Sequence, residues 1–289
     1  MMTNTFKGMI ALIAGIAVAS GGIVLAVDFY NATTNINGIS EASDSSNPGF
    51  SHYQTIDSAL AQKIIEAKGI LKTGVDTWDP ETIKKARDRF LGLLAREGQN
   101  NLYLLYYAAL CDYRLANFFI ASQEMEKAET YVKESETYLL KAMEIDPEFG
   151  ELDALYAYML GFEIAIDQEK AMSLGFQSFQ YMGEAATKSP DNPRVFYLKG
   201  ISELYTPVQF GGGVDMAIKT LNRSVELFDK EKIEGEYMPS WGKEEAYTFL
   251  GMAYNQKGET EKAKEMFTRA LEVNPDFGLA AEELKKIQE

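Results

Sequence analysis

The stretch from Tyr247 to Pro275 constrains the fold more than any other, through the spacing of large and small side chains on two consecutive predicted helices. Tyr247, Leu250, Gly251 and Tyr254 fall on the first; after Gly258, Ala263, Phe267 and Ala270 fall on the second, and Pro275 ends the unit. Gly251 and Ala263 are small where two helices of a hairpin must approach closely, whereas Tyr254 and Phe267 are large where neighbours interlock. No hairpin of this kind buries both faces alone, so stacked copies are expected upstream. Ala142 with Pro147, Ala185 with Pro190, and Ser224 followed by Asp229 repeat the second-helix ending, while Leu160-Gly161 and Lys199-Gly200 mark first helices. The endings at 142, 185, 224 and 270 stand 43, 39 and 46 residues apart, so the upstream units carry extra turns or loop.

The pattern resembles the tetratricopeptide repeat (TPR), with Tyr247 where Trp is usual. Two earlier helices belong to the same array. Asp79-Pro80 is a cap and first turn for a helix through Glu97, with Ala86, Phe90 and Leu93 on one face. Ile56, Leu60, Ile64, Ala67 and Leu71 form a helical stripe between Thr55 and Lys72. At the other end Leu279, Leu284 and Ile287 face inward from a charged helix, the polar cap a solenoid needs. The expected fold is all-α: about five helical hairpins plus a C-terminal capping helix over residues 53–289, in the right-handed solenoid that the resemblance implies, preceded by an N-terminal hydrophobic helix.

From Met9 to Val27 the chain has no charged residue, a length of about 28 Å as a helix and close to the bilayer core. Lys7 precedes it, Asp28, Glu41 and Asp44 follow, and the next basic residue is Lys63. The positive-inside bias therefore puts the rest of the chain outside the cytoplasm, in the periplasm or at the cell surface. Ala17-Val18-Ala19 and Val24-Leu25-Ala26 offer cleavage sites, while the unbroken apolar length favours retention; residues 1–27 are a signal peptide or a membrane anchor. Residues 28–52, rich in Asn, Ser and Thr, read as a disordered tether.

Chemistry is sparse. A net charge of -15 opposes binding to nucleic acid. With one cysteine, Cys111, in a strongly apolar stretch, and one histidine, His52, in the tether, neither a disulfide framework nor a Cys/His metal site is supported. Gly211-Gly212-Gly213 precedes a helix but lacks the P-loop spacing and its Lys-Ser/Thr ending, and reads as a tight inter-helix loop. Glu244-Glu245 and Glu282-Glu283 read as solvated faces. No catalytic residue, metal or cofactor is expected, and the chain reads as a binding protein with no enzymatic activity.

In stacked hairpins the first helix of each unit lines the concave face. Tyr158, Phe162 and Ile166, then Tyr197, Ile201, Leu204 and Tyr205, should stand there, with Asn255 and Gln256 in the last repeat. Either these aromatics pack against the extra turns, or they form an apolar pocket between residues 155 and 210. Residues 64–289 are similar to a group of exported bacterial TPR proteins. Lys72 to Asp79, Tyr205 to Gly213, Pro239-Ser240-Trp241-Gly242 and the final repeat carry that likeness. It implies an extracytoplasmic scaffold for a protein or peptide partner, within an envelope assembly. The alternative is a solute- or lipid-binding component beside a transporter, holding an apolar small ligand on the concave face.

Overall fold

The computed structural model describes residues 56–98 and 100–288. The expected hydrophobic segment and tether lie outside these residues, as does His52. Among the described residues there are eleven α-helices: α1 (Ser58–Asp76), α2 (Pro80–Glu97), α3 (Leu102–Ala121), α4 (Met125–Ile145), α5 (Gly150–Ile166), α6 (Ala171–Lys188), α7 (Pro193–Tyr205), α8 (Val214–Phe228), α9 (Lys243–Gln256), α10 (Thr260–Val273) and α11 (Gly278–Lys286). They pair in order as five antiparallel hairpins, and α11 caps the last. None is long and apolar enough to cross a membrane.

Local chemistry explains the helix starts. Asp57, Asp79, Asn101 and Asn192 each accept a hydrogen bond from a first-turn backbone N–H, and Pro80 and Pro193 occupy positions where no donor is lost. Of the expected stripe, Leu60, Ile64, Ala67 and Leu71 are buried, but Ile56 precedes the helix and is half-buried, because Asp57 caps α1 at Ser58, and α1 runs one turn further, to Asp76. There Gly74 lies so close to Ile83 that an added Cβ would stand 2.8 Å from its backbone nitrogen. The second-helix landmarks Ala142, Ala185, Ser224 and Ala270 are fully buried, and the Ser224 hydroxyl donates to the Pro193 carbonyl at 2.8 Å.

Gly251 meets the Phe267 ring, and Gly200 meets Leu221, at distances no side chain would allow. Gly161 behaves differently, since nothing stands within 4 Å of its Cβ position. The first ten residues of α6 include no buried side chain, so the third hairpin is open at that end. In the capping helix Leu279 is buried but Leu284 and Ile287 are only half-buried; Glu283 takes the inward place beside Ala280, paired to Lys286.

Successive first helices α1, α3, α5, α7 and α9 touch one another and form the inner wall. The array curls until its ends meet: the Asn274 amide donates to the Asp76 carboxylate at 2.9 Å, joining the end of α10 to the end of α1. α3 sits at the centre, and all of its residues except Asn117 and Phe118 are buried.

Candidate functional site: the inner face

The inner face is covered by the chain's own residues 229–242, which link α8 to α9 without a helix. Side chains of the first helices hold this segment by its main chain. The Tyr107 hydroxyl donates to the Tyr237 carbonyl at 2.7 Å, and the Lys68 ammonium donates to the carbonyls of Glu236 and Met238. Arg194 donates to the carbonyls of Pro239 at 3.0 Å and Trp241 at 3.4 Å. Tyr237 stands edge-on to Tyr103 with centroids 5.2 Å apart. Burial, followed by the nearby Arg194 charge, pulls Lys68 down to about 8.

Two buried arginines anchor the segment from below. Arg194 on α7 pairs with Glu151 on α5 through Nε at 3.0 Å and with Glu231 of the segment. Glu151 also accepts from Asn192 at 2.8 Å and from the Tyr106 hydroxyl, which itself accepts from Trp241 Nε1 at 2.5 Å. Arg114 on α3 makes a two-pronged pair with Glu245 on α9, and its guanidinium lies 4.8 Å from both the Tyr113 and the Trp241 ring centroids. Each buried cation is thus met by a carboxylate and an aromatic face, the combination that makes burial of charge tolerable. Glu245 was expected on a solvated face; it is 5% exposed because Arg114 requires a partner there. Burial pushes the Cys111 thiol well up, away from reactive thiolate.

The residues expected on the concave face are brought partly together. Phe162 stacks on Tyr113 at 5.9 Å, Tyr158 stands edge-on to Tyr113 at 5.6 Å, and Tyr197 stands edge-on to Trp241 at 5.9 Å and to Phe249 at 6.0 Å. Ile201 and Leu204 are buried, Ile166 and Tyr205 are half-buried, and Asn255 and Gln256 are exposed at the end of α9, apart from this cluster. Sequence reasoning gave no site role to Trp241, Arg114, Arg194 or the four tyrosines of α3. A signal did exist: a helix-free run between two predicted helices carries Trp241, a large aromatic that a solvated loop rarely exposes.

The glycine loop is tight. Gly211, Gly212 and Gly213 each donate their N–H to a main-chain carbonyl of residues 203–208, so none is left to hold a phosphate. Gly212 has room for nothing more, because an added Cβ would stand 2.2 Å from the Thr206 carbonyl oxygen.

Residues 244–277 match the tetratricopeptide repeat family. Among solved structures, the chain is similar to the HusA haemophore from Porphyromonas gingivalis, at 24% identity and a TM-score of 0.57, over 73% of this chain and 96% of that one. It also matches YrrB, a TPR protein with an unusual peptide-binding site, at 18% identity and a TM-score of 0.36, over 77% of this chain and 90% of that one. MamA from Desulfovibrio magneticus matches at 15% identity and a TM-score of 0.33, over 75% and 97%. The comparison with curated proteins gave no match. The chain thus ends in a tetratricopeptide repeat over residues 244–277, at the close of a stack of helical hairpins whose inner face is filled by its own inter-helix segment.

Proposed function

We propose that this chain is an extracytoplasmic scaffold in an envelope assembly, and that it binds its protein partner on the outside of the solenoid and not along the concave groove. The observation that carries the reading is the capture of five carbonyls of the 236–241 stretch by Lys68, Tyr107 and Arg194. A groove whose hydrogen-bonding side chains are satisfied by the chain itself has none left for a partner peptide. The charge-free run Met9 to Val27 supports export. To test this, a photo-crosslinking residue is placed at Lys133, Arg223 or Lys262, on the second helices α4, α8 and α10 of the full chain, and envelope and cytosol are separated. Adducts with another protein, in the envelope fraction, are expected; a cytosolic chain, or no adduct from any outer position, overturns the reading.

A second reading is favoured by the likeness to HusA, which is described as a haemophore. An apolar planar ligand would then enter at the half-buried rim of Tyr158, Ile166 and Tyr205. Titration with haemin decides it: a shifted Soret band that Tyr205→Ala abolishes supports a ligand carrier, and an unshifted spectrum removes it.

A further inference from the structure

The second helices of most hairpins turn charge to the solvent. α4 carries the pairs Lys127 with Glu124 and Lys133 with Glu129, and α10 carries Lys262 with Glu259, Lys264 with Glu261 and Arg269 with Glu272. α6 breaks the pattern, with no charged residue from Ala171 to Gly183. Met172, Phe176 and Phe179, spaced to share one stripe of the helix, are 84, 57 and 71% exposed. The chain is again charge-free from Leu204 to Val214, where Val208 and Phe210 are 77 and 51% exposed. α7 runs about 20 Å back along its antiparallel neighbour, which brings Val208 and Phe210 to the end of the molecule where Met172 stands. This is also the end at which nothing covers Gly161.

Together the five side chains expose roughly 600 Å² of apolar surface, at the top of the range for a monomer's largest patch. We infer that this face is a self-association surface, on which two copies of the chain meet α6 to α6 across a twofold axis. Two such faces cover about 1,200 Å², the lower bound for a specific interface. Phe and Met at the centre with charge excluded match the core of such a contact. A basic partner would be drawn to the acidic remainder of the surface and not to this charge-free face, so area and composition, and not charge attraction, point to a second copy. The inference does not depend on where the chain resides or which partner it scaffolds.

The test uses the full chain in unfractionated cells of its host, with single cysteines placed by Met172→Cys, Phe176→Cys or Phe179→Cys; the native Cys111 is fully buried and silent. Oxidation or a short bismaleimide should yield a covalent band of twice 32.3 kDa from at least one position. Lys262→Cys on α10 should give none, and adding Met172→Asp to Phe176→Cys should lower the yield at least tenfold. Because Met172 is 84% exposed, that aspartate removes no internal packing. Absence of a self-adduct from all three positions overturns the inference in either of two ways. Ready labelling by a maleimide-polyethylene glycol would show a bare face, and protection from it would show the face covered by lipid, by residues 1–55 or by a different protein.

Discussion

Arg114 and Glu245 are each buried and each would be ruinous alone. Arg114 is fixed between Tyr113 and Trp241, so it cannot swing to solvent if its partner is lost. Glu245→Leu should therefore cost about 3–5 kcal/mol in urea unfolding, and the double change Arg114→Met with Glu245→Leu should cost less than Glu245→Leu alone. A single variant as stable as the parent would mean that water reaches the guanidinium. Glu136 on α4 offers a second check. Burial, followed by the nearby Glu163 charge, pushes its carboxyl up to about 7 against the attraction of Lys170 and Lys133, and one of its oxygens has no hydrogen-bond partner. The folded state thus keeps a proton that the unfolded chain releases near 4.5, so this group's contribution to stability falls as pH rises from 4.5 to 7 and is level above. Glu136→Gln should raise the melting temperature increasingly across that window; a constant difference from pH 4.5 to 8 would refute the assignment.

Among the elements, the two interruptions between helices matter most. Residues 229–242 act as a plug, and Trp241 is its centre, touching Tyr106, Tyr113, Tyr197 and Arg114. Trp241 is half-buried, so Trp241→Ala should cost about 2–3 kcal/mol, below the range of a fully buried aromatic, and expose the inner face to an apolar dye. Unchanged stability with no dye binding would show that the segment merely rests on the helices. The glycine loop is held by close packing: Gly212→Ala places a methyl group against a backbone oxygen that cannot retreat, and should cost about 2 kcal/mol or more by thermal unfolding. An equal loss from Gly175→Ala, where nothing lies within 4 Å, would remove that explanation.

At the scale of the molecule, repeat arrays often unfold unit by unit, because each unit touches only its neighbours. Here Asn274 reaches Asp76, Lys68 on α1 holds residues 236 and 238, and Arg114 on α3 holds α9. These ties join the first and last thirds of the described chain, so heat and denaturant should give one cooperative transition, coincident by circular dichroism and by tryptophan fluorescence. Asn274→Ala should lower the unfolding free energy by about 1 kcal/mol and leave the transition single. Two resolved transitions in the parent chain would mean that the ends are not coupled.

The hairpins were legible in the sequence because helix pairing is local. Gly251 against Phe267, the buried Ala142, Ala185 and Ala270, and the Asp79-Pro80 start all express spacings within one helix or one hairpin that follow from helical geometry. The burial of Glu245 was not legible, since a carboxylate reads as solvated until its cation arrives from elsewhere in the chain. For Glu245 that cation is Arg114, 131 residues away. Nor could spacing show that residues 229–242 would fold back across α1, α3 and α7, or that α6 would keep Met172, Phe176 and Phe179 in water. A periodic stripe reports that apolar residues share a face, but whether that face is covered depends on how the hairpins stack. The sequence by itself determined the repeat, its helices and the absence of familiar catalytic motifs. Only the tertiary structure decided that the inner face is filled from within and which outer face is left apolar, because stacking angles are set by long-range contacts such as Arg114 with Glu245.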